Sequence, residues 1–218
     1  MQSYQNLVVL QNLYRLKSLG FEFVDHFTLN EKTSFLKPTS IQALHKDVSS
    51  CHLCDLSKSR TQSMSGFGNI NAELFLLDFN ISKEQDKTNN YYVGRAGEVL
   101  KNMIEKVVNI NTENIFYTHC IKCKSGNAKT PSTSEWNSCK SYLSSQIEFI
   151  KPKVIVTLGE LAYEHLTEDK GNFEKVRGHI IDFKDYKIVP IYHPNHLLRN
   201  PELKKTTLND LKTIKSCL

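Results

Sequence analysis

Residues 151–167 read KPKVIVTLGELAYEHLT: a five-residue apolar run, Val154–Leu158, then Gly159, then eight residues without glycine or proline. A short β-branched run closed by glycine reads as a buried strand, and 160–167 reads as the helix that follows it. Outward from this unit the alternation repeats. Upstream lie the apolar run Leu74–Leu77, a helix-like stretch over 96–108, a run around Ile115–Ile121 and a helix over 133–150. Downstream, Ile188–Tyr192 forms a last strand, paired as a hairpin with Ile180–Phe183 through the turn Lys184–Lys187, and 203–216 closes the chain as a helix. Strand and helix in strict alternation imply an α/β fold: a three-layer α/β/α arrangement around a central, mostly parallel four-stranded sheet.

The segment before this body differs. Leu7, Leu10, Leu13 and Leu16 recur every three residues within 4–19 and predict an amphipathic N-terminal helix. Residues 28–50 are polar and contain proline, with a short helix at 41–46, and read as a connector. The organisation expected is a helical extension and linker over 1–47 and one domain over 48–218. With 218 residues, 39% of them hydrophobic, the chain can bury a sizeable core, which argues against disorder and against a disulfide-dependent mini-fold. No run approaches the roughly 18–20 apolar residues of a membrane span. The start, MQSYQNLVVLQNLY, has no basic leader region, so a cytoplasmic protein without membrane association is expected. A net charge of +5 is compatible with a polyanionic partner without requiring one.

Open parallel sheets bind ligands beyond the carboxyl ends of their strands. Those ends carry Asp78, His119 and His193, so one carboxylate and two imidazoles are expected to meet in a single crevice. Six cysteines in a reducing compartment point to buried thiols, catalysis or a metal rather than disulfides. Cys51 and Cys54 form a C-x2-C pair, whereas Cys123 and Cys139 are separated by 15 residues. Zinc sites favour two short knuckles, which that second spacing fits poorly. Four thiolates gathered from separate segments suit a cubane iron–sulfur cluster better, and four unrelated buried cysteines are the alternative. Cys120 reads as a core-facing strand residue and Cys217 as an exposed terminal thiol.

Taken in order, several motifs resemble the iron–sulfur uracil-DNA glycosylases, family 4 in particular. These are CHLCDLSKSR at 51–60, GFGNINA at 66–72, YYVGRAG at 91–97, IKC at 121–123, TP at 130–131, Glu135, Cys139, TLG at 157–159, RG at 177–178 and HPNHLLRNP at 193–201. The resemblance covers about residues 48–216. It implies excision of a damaged base by cleavage of the N-glycosidic bond, leaving an abasic site in DNA. It also implies a [4Fe–4S] cluster on Cys51, Cys54, Cys123 and Cys139, no nucleotide cofactor, and a monomer.

The resemblance further implies roles for single residues. His193 matches the histidine that donates a hydrogen bond to the uracil carbonyl oxygen as charge develops on the ring. Tyr92 stands where the family stacks a Phe on uracil, and a phenol offers the same π-face. Leu77 and Gly94 match substrate-binding positions, Gly94 within the tight approach into a helix N-terminus. Leu197 and Leu198 match an apolar wedge entering the duplex, with helix packing as the other reading. Arg95, Lys124, Arg177 and Arg199 match positions for DNA contact, and Lys122 and Lys129 would add positive charge beside the cluster.

Two departures bear on activity. The family's G-E-(A/G)-P-G turn is replaced by Leu77, Asp78, Phe79, Asn80 and Ile81. Asp78 preserves the carboxylate on a shorter side chain, and Ile81 disfavours a glycine-only conformation. The family's base-edge Asn is replaced by His119, which cannot present an amide's paired donor and acceptor. Activity on uracil is the leading expectation. A weakened or inactive DNA-binding iron–sulfur protein, or a glycosylase with altered lesion choice, are the alternatives.

Overall fold

The structure, a computed structural model, describes residues 9–15, 17, 38–126 and 130–218. The chain separates into two units, Met1–Lys37 and Pro38–Leu218. In the first, residues 9–15 and 17 are helical, within the expected helix, while Leu7 and Leu16 of its apolar stripe lie outside the described residues. The second unit begins ten residues ahead of the expected boundary. Helix α1, Ile41–Ser49, is capped by the Ser40 hydroxyl accepting from the Ala43 N–H at 3.1 Å, and it buries Ile41, Leu44 and Val48. The connector reading of 41–47 is therefore corrected, because three apolar residues on one face make this segment part of the core.

The strands are β1 (Phe67–Gly68), β2 (Leu74–Asp78), β3 (Phe116–His119), β4 (Val154–Leu158), β5 (Ile181–Phe183) and β6 (Tyr186–Ile191), in the spatial order β1-β3-β2-β4-β6-β5. The four central strands run parallel, and the two edges are antiparallel. The four-stranded expectation thus describes the parallel centre. The hairpin adds β5, and β1 is too short to leave a periodic signal. All five residues of β2 and of β4 are buried, as strands covered on both faces require.

The further helices are α2 (Leu56–Ser59), α3 (Lys83–Thr88), α4 (Gly94–Asn102), α5 (Thr133–Ile150), α6 (Glu160–Thr167), α7 (Phe173–Val176), α8 (Pro194–Arg199) and α9 (Lys204–Ser216). The expected helix over 96–108 is α4 continued by a π-helical stretch, Met103–Val108, that ends at Asn109 with φ 65°. Alternation along β2 splits the core. Leu74 and Leu76 pack with Leu100, Leu211 and Ile214 on one face, while Phe75 and Leu77 pack with Leu44, Trp136 and Leu143 on the other. Glu135 is explained by α5 itself: Ser132 and Glu135 form a capping box, each side chain bonding the other's backbone N–H.

Connections from β2 run to β3 on one side and then back to β4 on the other, so the strand order reverses between β2 and β4. Such a reversal opens a crevice at the carboxyl ends.

Candidate active site

Parallel pairing of β2 with β3 sets Asp78 beside His119, and Leu76 beside Tyr117. Because strand side chains alternate, Asp78, Tyr117 and His119 project from one face. His193 follows β6 as the N-cap of α8, and its Nδ1 accepts the Asn195 N–H at 3.0 Å. Gly159 makes room for it: a Cβ there would lie 3.1 Å from the His193 Cβ, and its φ of 86° already favours glycine.

The His193 Nε2 lies 3.1 Å from Asp78 Oδ2. The same oxygen accepts the Tyr117 hydroxyl at 3.3 Å, and Oδ1 accepts the Phe79 N–H at 2.7 Å. Burial pushes the Asp78 carboxyl upward, but the charge and hydrogen bond of His193, with help from His119 and the Phe79 N–H, outweigh it and leave Asp78 below the ordinary carboxylate value. For His193, burial lowers proton affinity and the Asp78 carboxylate more than restores it. The result is an ionised carboxylate bound to an imidazole whose Nε2 carries the proton. None of residues 77–81 has a positive φ, so the strand-end turn is built without glycine geometry, held by Cys120 N–H to Asp78 O at 2.8 Å and Ile121 N–H to Phe79 O at 3.0 Å.

His119 is fully buried, and neither ring nitrogen has a hydrogen-bond partner among the described residues. Burial first of all lowers its pKa to about 4, so the ring is neutral and offers one donor and one acceptor. Its faces are occupied: Tyr117 stacks at 5.3 Å and Tyr91 lies at 5.5 Å, with Tyr92 5.5 Å from Tyr117.

Cys54, Cys120, Cys123 and Cys139 gather on the opposite face of the sheet, whereas Cys217 packs against the first core. Cys123 and Cys139 are buried in the second core, with Cys54 packed against it. Burial raises the pKa values of the Cys54, Cys123 and Cys139 thiols, and Arg60 partly offsets this at Cys123. Neighbouring thiols of the set raise them further: Cys123 and Cys51 at Cys54, Cys51 at Cys123, and Cys54 and Cys123 at Cys139. Arg60 ties two of their segments together, donating to Cys123 Sγ at 2.9 Å and to the Cys51 carbonyl at 2.9 Å. Among the described residues no group of three or more His, Cys, Asp or Glu side chains is placed to hold a metal ion. A four-thiol set spread over three segments, with a guanidinium at one sulfur, fits the donor chemistry of a cluster better than that of one ion.

The family model for the uracil-DNA glycosylase superfamily matches residues 65–212. The chain belongs to this superfamily. It is 34% identical over 184 residues to a type-4 uracil-DNA glycosylase of Sulfurisphaera tokodaii, covering 81% of this chain and 84% of the relative. Its identity to the type-4 uracil-DNA glycosylase of Thermotoga maritima is also 34%, over 180 residues, 81% of this chain and 93% of that protein. A third, from Saccharolobus solfataricus, is 30% identical over 187 residues, 82% of this chain and 87% of the relative.

Within this uracil-DNA glycosylase superfamily scaffold the remaining expected residues divide. Tyr92 is half-buried beside Tyr117, and Gly94 adopts φ 74° at the start of α4. Gly97 is the sterically required glycine, since a Cβ there would lie 2.1 Å from the Tyr92 carbonyl carbon. Arg95 and Arg199 are exposed and Lys124 half-buried. Leu198 is exposed, whereas Leu197 and Leu77 are buried and pack in the first and second cores respectively. Arg177 is engaged within the fold: its guanidinium pairs with the buried Asp210 carboxylate and lies 4.6 Å from the Tyr192 ring centroid. Lys122 is buried, not solvated, and Lys129 lies outside the described residues. Sequence reasoning missed Tyr117, whose signal is its position two residues before His119 on a strand. It also missed Tyr91, Arg60 and the buried state of Lys122, which no local pattern reveals.

Proposed function

We propose that the protein is a base-excision glycosylase that hydrolyses the N-glycosidic bond of uracil in DNA, leaving free uracil and an abasic deoxyribose. The observation that carries this reading is the His193–Asp78 contact at the carboxyl ends of the sheet, one strand away from the unpartnered His119 edge. The extruded base would be read by His119 and stacked by an aromatic ring, with Tyr92 as the ring the motif selects. As the bond from C1′ to the base breaks, its electron pair moves into the base. His193 re-aims its Nε2–H from Asp78 to the base's carbonyl oxygen, stabilising that anion as a neutral donor. Asp78, thereby released, faces the electron-poor sugar and orients the water whose oxygen joins C1′. That water loses one proton to solvent as the bond forms, and the departed uracil anion takes one up from solvent to leave as free uracil. With three donors around it at rest, Asp78 is a weak base and acts chiefly through its charge.

His119 supports a second reading, altered lesion choice, because an imidazole matches uracil's edge through only one donor and one acceptor. Arg95, Lys124, Arg199 and Leu198 are the residues proposed for DNA contact. The protein is proposed to work as a cytoplasmic monomer. Cys51, Cys54, Cys123 and Cys139 would hold a [4Fe–4S] cluster, which supplies a covalent tie between the segment around residue 51 and α5 on the face of the sheet away from the base pocket.

Purified protein incubated with single- and double-stranded oligonucleotides containing uracil, followed by alkaline cleavage of abasic sites, tests the reading. Strand cleavage by the natural protein and none by His193→Ala is expected. Cleavage no greater than that of the variant overturns it, and a panel of other deaminated or oxidised bases tests lesion choice. Anaerobically purified protein should be brown with iron bound, whereas colourless protein with stoichiometric zinc overturns the cluster.

A further inference from the structure

Lys122 is 1% exposed, one of the largest fully buried side chains in the protein. Its Nζ faces three oxygens: Thr118 Oγ1 at 2.8 Å, Gln146 Oε1 at 2.6 Å and the carbonyl of His119. Each is oriented to accept. Gln146 donates its Nε2 to the Ser65 carbonyl, which turns its Oε1 toward the lysine, and the Thr118 hydroxyl donates to that same Oε1. Three acceptors require three N–H donors, and a neutral amine has two. The group is an ammonium.

All three acceptors are uncharged, and no carboxylate among the described residues pairs with Nζ. A buried cation without an anion is costly unless charge is supplied from elsewhere. Lys122 directly precedes Cys123, and its backbone hydrogen-bonds the Cys139 thiol. Burial lowers its pKa to about 8. Of the ionisable groups within electrostatic reach, His45, His119 and the thiols of Cys139, Cys120 and Cys123, only the thiols can supply negative charge. Two of these belong to the proposed ligand set.

We propose that Lys122 is the built-in counter-charge of the [4Fe–4S] cluster, clamped by neutral acceptors so that its positive charge remains available to the thiolate-ligated group. This rests on the cluster assignment above. A cubane held by four thiolates carries net negative charge, and net charge is one of the properties that set its potential. Arg60 donates to Cys123 from the partly solvated side, and Lys122 supplies charge from the protein interior. The ammonium's bond to the His119 carbonyl also ties the cluster side of the sheet to the base pocket.

The test is an anaerobic redox titration of cluster-loaded protein, comparing the natural chain with Lys122→Met, Lys122→Arg and Gln146→Glu. Lys122→Met keeps the volume and removes the charge. Gln146→Glu keeps the lysine and neutralises it, and stands in should Lys122→Met not fold. In both, whichever one-electron couple is followed should move to more negative potential by at least tenfold in its reduction equilibrium, about 59 mV. Both should also lose visible absorbance to an iron chelator at least tenfold faster, while Lys122→Arg stays within about threefold of the natural protein. A brown natural protein whose Met and Glu variants titrate at its own potential overturns the role of Lys122 alone. A natural protein that binds no iron overturns that role and the cluster together.

Discussion

His193 and Asp78 stand 115 residues apart in sequence and 3.1 Å apart in space, joined by Nε2 and Oδ2. The ring's other nitrogen accepts the Asn195 N–H, so the two nitrogens are distinct in role, with Nδ1 accepting and Nε2 donating. The Asn195 N–H opposes a second proton on this ring even as Asp78 favours one. Asp78 raises the ring's proton affinity, and above that raised pKa the imidazole donates through Nε2 as a neutral ring, the form needed to meet a base leaving as an anion.

Replacing Asp78 by Asn retains shape and removes the charge. Single-turnover excision of uracil should fall about 10²–10³-fold, the scale on which a transition-state electrostatic partner acts. Affinity for the same DNA should hold or tighten slightly, since an anion has been removed. Nuclear magnetic resonance titration should find the His193 pKa lower than in the natural protein.

The pair also shapes stability against pH. Asp78 has a depressed folded pKa, so its contribution is present above its unfolded value and lost as pH falls through the folded one. His193 has a raised folded pKa, so its contribution is present below its unfolded value and lost as pH rises through the folded one. Both are complete between about pH 3.9 and 6.5, the ordinary values of the two groups. The Tm difference between natural protein and Asp78→Asn, measured by scanning calorimetry across pH, should be greatest in that window and narrow on either side.

The His119 ring is neutral, with both nitrogens unpartnered among the described residues, and under the proposed function it is the group that reads the base edge. Removing it with His119→Ala should cost about 1–3 kcal/mol of transition-state binding, the range for hydrogen bonds made in a buried site, with little change in affinity for undamaged DNA. His119→Asn should recover more uracil excision than His119→Ala. Because burial holds the His119 pKa at about 4, the pH dependence of the rate between about 5 and 8 should be the same with histidine or asparagine there.

The parallel centre of the sheet was readable because β2 and β4 are continuous apolar runs, and the hairpin because two such runs flank a polar turn. The crevice was readable for a related reason: Asp78, His119 and His193 sit at or just beyond strand ends, and the fold brings strand ends together. Burial set by tertiary packing was not readable. Lys122 lies in a polar, lysine-rich stretch that looks solvated, yet Gln146 from α5 and Thr118 enclose it. Arg177 resembles a phosphate ligand until Asp210, 33 residues on, claims its guanidinium. Leu197 and Leu198 are adjacent and alike in sequence, and only the packing of α8 distinguishes them.

Arg177 should therefore behave as a structural cation. Its side chain is 13% exposed and that of Asp210 is 7% exposed, so Arg177→Met leaves a buried carboxylate unpaired and should cost about 3–5 kcal/mol in denaturant unfolding. The salt dependence of DNA binding should not change. Arg199→Ala and Arg95→Ala should do the reverse, each reducing the slope of log K against log salt by about 0.7–0.9 with stability nearly intact.

Leu197 and Leu198 separate folding from base extrusion. Leu197 is 1% exposed, and Leu197→Ala should cost about 2–5 kcal/mol through a cavity beneath α8. Leu198 is 37% exposed, so Leu198→Ala should alter stability by no more than about 0.5 kcal/mol. On duplex DNA an apolar side chain that fills the gap left by the extruded nucleotide offsets lost stacking, whereas a single strand has no opposing stack to repair. Excision by Leu198→Ala should therefore drop several-fold further on duplex than on single-stranded uracil DNA. Equal loss on both substrates would remove Leu198 from the extrusion step and leave it a contact to the strand itself.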